Sequence, residues 1–372
     1  MIQLFQIHFP QEELDHLKVR LNQTRWPDDP EDAGWSMGTD LHYLRELTDY
    51  WKTQYDWRTH ETQLNELPHF KTLVDDTWIH FVHVKSPKRN AIPLLLVHGW
   101  PDGFYRYHKV IPLLSGDFDL IVPSIPGFGF SDRRTTTPIK VAELFDKLMT
   151  QILGYTHFAA CGGDIGTGIV SEISNRYPDV VRAIFLTDAG YPTGKEDPAS
   201  LSEAERQFIR STQSWVGSEG AYLRLQATKP QTLAYSLNDS PVGFAAWIIS
   251  MIHSGAGDVG VEKAFGGKDE LLTNLMIYWL TGTAGSAARM YWLTATMNQE
   301  KEAASALAKK GTVPAGIALF PREIQFPREW AERNFHVQSF KRMLYGGHFG
   351  VLEAPELYAN ELKSFIEQYY NA

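Results

Sequence analysis

The chain has a single cysteine, Cys161, among 372 residues. That excludes an internal disulfide, a CxxC redox centre and a cysteine-rich zinc site, and it suits a reducing cytoplasm. Basic charge is also scarce: 35 Lys and Arg against 44 Asp and Glu leave a net charge of −9. An acidic balance without basic clusters argues against nucleic acid or an anionic membrane as partner. No apolar run is long enough to cross a bilayer, because Gly, Pro or charge interrupts each one. The opening MIQLFQIHFPQEELDHLKVRL scatters acids and bases among its apolar residues, so no signal peptide or membrane anchor is expected. Low-complexity tracts and internal repeats are absent as well. The expectation is a cytoplasmic globular protein whose 43% hydrophobic and 13% aromatic content can fill a real core; homo-oligomerisation is left open.

Residues 1–78 read as helical and irregular, an extension packed on a main domain. After Pro10, Gln11–Arg20 carries Leu14 and Leu17 on one face, with Leu21 a turn further on and Glu12 and Glu13 in the first turn. Trp26-Pro27 ends that piece, DDPED (28–32) makes a loop, and Leu41, Leu44, Leu47 and Trp51 form a second apolar stripe. The pattern then changes to strands. IHFVHV (79–84) alternates like a half-buried strand, whereas IPLLLVHG (92–99), FDLIVPSIPGFG (118–129), HFAACGGDIG (157–166) and VRAIFLTDAG (181–190) are nearly unbroken apolar runs. Such runs mark strands covered on both faces, and their spacing marks a mostly parallel sheet. Residues 191–310 turn helical, and strand-like runs resume at AGIALFP (315–321) and HVQSFKRMLYGG (336–347) before a closing helix at Pro355–Tyr369. One α/β domain is therefore expected, its core split into residues 79–190 and 311–372 by a helical lid.

Three glycine-rich corners lie at strand ends. In Gly162-Gly163-Asp164-Ile165-Gly166, small residues flank the apex of a strand–turn–helix corner and hold the Asp164 side chain up at the sheet edge. The N–H of Ile165 then points at whatever Asp164 attacks; alternatively, Asp164 merely caps the next helix. In His98-Gly99-Trp100-Pro101 the Trp100 N–H can supply a second oxyanion donor, and His98 is either a base or a structural turn residue. In Gly346-Gly347-His348-Phe349-Gly350 the imidazole sits on a loop able to reach inward, or in an ordinary turn. Glu323 is placed to orient His348, with Glu329, Glu332 and Glu353 as competing carboxylates. Nucleophile, acid and histidine in this order match the α/β-hydrolase fold.

A carboxylate nucleophile selects its chemistry. Attack on a carbonyl would give an anhydride, while attack on a strained or activated sp3 carbon gives a stable alkyl ester that activated water can hydrolyse. Epoxides and alkyl halides are the substrates that qualify. An epoxide oxygen leaving as alkoxide needs a proton donor, and Tyr222 and Tyr291 lie in the helical insertion; either could equally be packing. Aromatics such as Trp100 and Trp215, without a basic cluster, favour a neutral, moderately apolar substrate.

These residues resemble the α/β-hydrolase epoxide hydrolases of the microsomal type, with the juvenile-hormone hydrolases of insects and their bacterial relatives. The motifs run along nearly the whole chain: TRWP (24–27), YWKTQYDWRTHETQLNELPHF (50–70), HGWP (98–101), PSIPGFGFSD (123–132), GGDIG (162–166), QATKPQTLAYSLNDSPVG (226–243), YWLTGT (278–283), FPRE (320–323) and GGHFG (346–350). The resemblance implies Asp164 as nucleophile, His348 as base, Glu323 as its orienting acid and Tyr222 and Tyr291 as paired lid tyrosines. It also implies epoxide-to-diol conversion with no cofactor and no metal. Two departures are visible. Ile165 stands where Trp is common beside the nucleophile, which should widen the pocket, and Asp102-Gly103 stands where many relatives have Gly-Ser, adding a carboxylate expected near the site mouth. The rival readings are a haloalkane or haloacid dehalogenase, which would release halide without forming diols, and a non-catalytic binding protein on a hydrolase scaffold, which would lack a triad member.

Overall fold

The computed structural model describes residues 1–29, 33–194, 196–256, 259–299 and 310–371. The end of the DDPED loop (30–32) and positions 195, 257–258 and 300–309 of the expected lid lie outside the described residues.

The strands are β1 (Gln3–Leu4), β2 (His69–Val74), β3 (Thr77–Val84), β4 (Ile92–Val97), β5 (Phe118–Pro123), β6 (Phe158–Gly162), β7 (Val181–Leu186), β8 (Pro314–Leu319) and β9 (His336–Arg342). They form one sheet in the order β1-β2-β3-β5-β4-β6-β7-β8-β9. From β5 across β4 to β9 every pairing is parallel, while β1, β2 and β3 add on antiparallel. The apolar runs of β4 and β5 are buried along their length because helices cover both faces.

Residues 1–78 are not only helical and irregular. Beside helices Gln11–Asn22, Leu41–Thr53 and Trp57–Leu64 they contribute β1 and β2 to the sheet, and β2 joins β3 through a turn at Asp75, where φ is 52°. The alternation in β3 also does not mean a wet face: His80 is as buried as Ile79 and Phe81. The extension roofs that side, with the Phe5 ring 5.4 Å from His80 and His69 Nδ1 2.9 Å from His80 Nε2. Pairing within a His–His chain makes the buried polar ring tolerable.

Between β7 and β8 the described residues form helices Glu203–Glu219, Ala221–Thr228, Pro230–Asp239, Pro241–Ala256, Val261–Phe265, Lys268–Thr281 and Ala284–Gln299. The first opens with a capping box, Ser202 and Glu205 exchanging side-chain and backbone bonds. The extension grips this layer at several points: Tyr50 donates to Asp269 at 2.8 Å, Thr39 to the Ala246 carbonyl at 2.6 Å, and the Tyr55 and Thr273 hydroxyls meet at 3.0 Å. Helix Lys268–Thr281 in turn clamps the turn after β4. Asn274 donates to the Pro101 carbonyl at 3.0 Å and Tyr278 to the Asp102 carbonyl at 2.6 Å.

Candidate active site

The corner after β6 forces Asp164 into φ 59°, ψ −128°, a strained conformation for a side-chain-bearing residue. The chain can fold so tightly only with glycines around it. A Cβ on Gly162 would stand 2.5 Å from the Gly166 carbonyl oxygen, and one on Gly99 would stand 2.5 Å from Asp164 Oδ1. Although Asp164 occupies the N-cap position of helix Ile165–Arg176, its carboxylate makes no cap bond. It faces the other way, and Oδ1 accepts the Trp100 N–H at 2.8 Å. Ile165 opens the helix, where backbone N–H groups lack intrahelical acceptors.

His348 approaches from the loop after β9. Its Nδ1 is 2.7 Å from Glu323 Oε2, and its Nε2 is 3.8 Å from Asp164 Oδ2. Burial alone would lower the His348 pKa, but the Glu323 and Asp164 carboxylates outweigh it and hold the imidazolium up to about 9. Burial would likewise raise the Glu323 carboxyl, and the His348 charge and hydrogen bond keep it below its ordinary value. The other carboxylates are engaged elsewhere: Glu329 with Ser202, Glu332 with Arg328, and Glu353 with Arg322.

The lid supplies the opposite wall. Tyr222 stacks on Trp100 with ring centroids 5.1 Å apart, and Tyr291 packs edge-on to the same indole at 5.8 Å and to Tyr222 at 6.2 Å. Burial, then the Asp164 charge, raises both phenol pKa values, so each stays a hydrogen-bond donor. Asp164, Ile165, Trp100, Tyr222, Tyr291 and His348 all line one cavity of about 530 Å³, whose further walls include Trp215, Leu223 and Met251. A larger cleft, about 630 Å³, lies between extension and lid around Trp26 and Val242, with no histidine among its lining residues.

One residue differs from its expected place, and one open alternative is decided. Asp102 is not a carboxylate at the site mouth. It is 1% exposed, accepts the Gly99 N–H at 3.1 Å and pairs with the equally buried Arg106 at 2.9 Å. A buried carboxylate needs such a cation, and Arg106, four residues on in a short 3-10 turn, brings it inward. His98 is structural: Ile125 N–H donates to its Nε2 at 3.0 Å, so its Nδ1–H donates to the Gly99 carbonyl at 2.9 Å. Burial depresses its pKa to about 3.

Sequence reasoning missed Asp188 and Tyr191, both just beyond β7. Asp188 Oδ2 accepts the Asp164 N–H at 2.8 Å and the Thr167 hydroxyl at 2.6 Å, while Oδ1 accepts the Gly190 N–H at 3.1 Å. Burial pushes its pKa up to about 6 against these bonds. Tyr191 lines the cavity together with Glu323 and His348. The one available signal was a polar TDAGY stretch where an apolar strand stops beside the elbow strand.

A mostly parallel sheet, an acidic elbow, a histidine–carboxylate pair and a helical lid define an α/β-hydrolase fold with an aspartate at the corner where serine is usual. Residues 2–107 match the epoxide hydrolase N terminus family and residues 92–238 the alpha/beta hydrolase fold family. Epoxide hydrolase 1 of Sus scrofa is 34% identical over 98% of this chain and 88% of its own length. Juvenile hormone epoxide hydrolase 2 of Ctenocephalides felis is 32% identical over 98% of this chain and 85% of its own. The crystal structure of juvenile hormone epoxide hydrolase from the silkworm Bombyx mori superposes with a TM-score of 0.90 at 26% identity, covering 100% of this chain and 95% of that one. The chain belongs to the epoxide hydrolases of the α/β-hydrolase fold, in the microsomal and juvenile-hormone branch that carries the N-terminal extension. Among the described residues no helix is long and apolar enough to cross a membrane.

Proposed function

We propose that this chain converts neutral epoxides to vicinal diols through an alkyl ester on Asp164, hydrolysed by water that His348 activates. The observation that carries the reading is the division of labour on one carboxylate: Oδ1 is held by the Trp100 N–H at 2.8 Å, and Oδ2 is left open toward His348 at 3.8 Å. In the first step Oδ2 attacks a ring carbon, the carbon–oxygen bond breaks, and the departing alkoxide takes a proton from Tyr222 or Tyr291. In the second, His348 removes a proton from water and the oxygen adds to the Asp164 carbonyl carbon. The Trp100 and Ile165 N–H groups steady the resulting oxyanion. Collapse releases the diol, protonated by His348, and the carboxylic proton left on Asp164 returns to the tyrosinate. Glu323 orients the imidazole and balances its charge.

A neutral substrate is supported by the cavity wall. Among the described lining residues the one arginine, Arg322, is already engaged by Glu353 and the Ala256 carbonyl, and the His348 ring by Glu323. Neither cofactor nor metal enters these steps. The experiment is a His348→Gln variant mixed with an epoxide and analysed by mass spectrometry. The protein should gain one substrate mass on the peptide containing Asp164, and Asp164→Asn should gain none. In heavy-oxygen water, the first diol released by the parent should carry the light isotope from Asp164. Heavy oxygen in that first diol, with no adduct in the variant, would mean direct attack by water and would overturn the mechanism.

A further inference from the structure

Two lid helices face the cavity with the same repeat. Helix Glu203–Glu219 presents Thr212, Trp215 and Val216, and helix Pro241–Ala256 presents Met251, Ser254 and Gly255, each set at i, i+3 and i+4. Within both apolar sets sits one hydroxyl that no other group in the protein meets. Thr212 is 6% exposed, and the Thr212 and Ser254 hydroxyl oxygens are both shut off from solvent without a hydrogen-bond partner.

That is unusual for this chain. Helical hydroxyls normally turn back to the carbonyl four residues earlier, as Thr48, Thr62, Thr228 and Thr281 do at 2.7, 2.8, 2.6 and 2.6 Å. Thr212 and Ser254 forgo the equivalent bonds to Phe208 and Ser250. A buried hydroxyl hydrogen with nothing to meet is costly, more so than an unmet lone pair. Both positions are also tied to the chemistry. Trp215, beside Thr212, packs edge-on to Tyr222 at 6.4 Å, and the carbonyl of Gly255, beside Ser254, accepts the His348 N–H at 3.4 Å.

We infer that Thr212 and Ser254 form a polar subsite that receives a hydrogen-bond-accepting oxygen, of ether, ester or ketone type, carried by a neutral epoxide away from its ring. This rests on the reading of the cavity as the epoxide site. The subsite is a pair of donors in an otherwise apolar wall, so it selects by the position of one oxygen along a hydrophobic chain. A site built to hydrogen-bond a substrate atom discriminates against the analogue that lacks it.

The test uses a series of terminal epoxyalkanes of equal length in which successive chain methylenes are replaced by an ether oxygen. One position in the series should raise kcat/KM over the all-carbon epoxide by roughly three- to tenfold, the measure of a net neutral hydrogen bond. In the Thr212→Val/Ser254→Ala double variant that ratio should fall to about one, and in Thr212→Ser, which keeps the hydroxyl, it should survive. Because each ratio is taken within one protein sample, partial misfolding does not move it. Diol formation by the parent with no favoured oxygen position overturns the subsite alone, as does a ratio that persists in the double variant. Failure of the parent to form diol from any member overturns the epoxide reading and the subsite with it.

Discussion

In the proposed mechanism, esterification of Asp164 removes the negative charge that lies 3.8 Å from His348 Nε2. In the resting protein Glu323, with the Asp164 charge behind it, overcomes the effect of burial and holds the imidazolium up to about 9. A unit charge at this separation contributes at most about 4 kcal/mol at an effective dielectric near 20. Partial exposure of both groups trims this, so His348 in the ester form should titrate well below its resting value. On the proposed mechanism the base is thus protonated before the substrate reacts, gives up that proton to solvent once the ester forms, and takes one back after the ester is hydrolysed. The two steps should separate by pH. Rapid-quench mass spectrometry on a single turnover would follow ester formation and decay between pH 5 and pH 10. Decay of the ester should rise with pH and level off well before pH 9, because only neutral imidazole accepts the proton from water. A decay rate still climbing through pH 9 would show that the Asp164 charge does not control His348. A pH-independent rate would show that His348 is not the base.

Other perturbations address the remaining parts of the site. Tyr222→Phe and Tyr291→Phe should each slow ester formation modestly and the double variant by roughly a hundredfold or more, the usual share of a positioned acid; an unchanged rate in the double variant would remove them from the mechanism. Asp188→Asn sets an amide N–H₂ against at least one of the three donors now bonded to the carboxylate. It should lower kcat about tenfold with little change in KM, because it loosens the elbow without touching substrate. The Asp188 pKa is raised to about 6, so its contribution to stability is present below its unfolded value near 4 and is lost as pH rises through about 6. Denaturant titrations should show that step in the parent and not in the variant. Asp102→Ala leaves the Arg106 guanidinium buried without its carboxylate and should destabilise the fold by about 3 to 5 kcal/mol in equilibrium denaturation. A loss under about 1 kcal/mol would mean that the pair is hydrated or dispensable.

What could be read from residues alone divides by how local its cause is. β4 and β6 are buried on both faces, so their apolar runs stand out, and the helix Pro355–Tyr369 has the bounds its pattern predicts. Elbow, oxyanion turn and histidine loop were legible because each needs glycine within a residue or two of the working group. β1 was not, since a two-residue strand acquires its state from pairing across some 65 residues, and the short HFKTLV stretch of β2 takes its state from the hairpin with β3. Asp102 was misplaced because its direction depends on Arg106, although the i, i+4 spacing of opposite charges was there to be read. Asp188 is a lone acid whose donor lies 24 residues away.

The extension illustrates why such contacts matter to the site. Tyr55 meets Thr273 on helix Lys268–Thr281, and the next residue, Asn274, donates to the Pro101 carbonyl within the turn that carries the Trp100 N–H. A turn later Tyr278 holds the Asp102 carbonyl, while the Asp102 side chain holds the Gly99 N–H from below. The oxyanion turn is therefore fixed on its lid side by a helix that the extension braces, and on its core side by a buried ion pair. Donors that must not move as charge develops are best held from two directions. On the proposed mechanism the N-terminal segment would act on the chemistry through one helix, since among the described residues it contributes none to the cavity wall around Asp164.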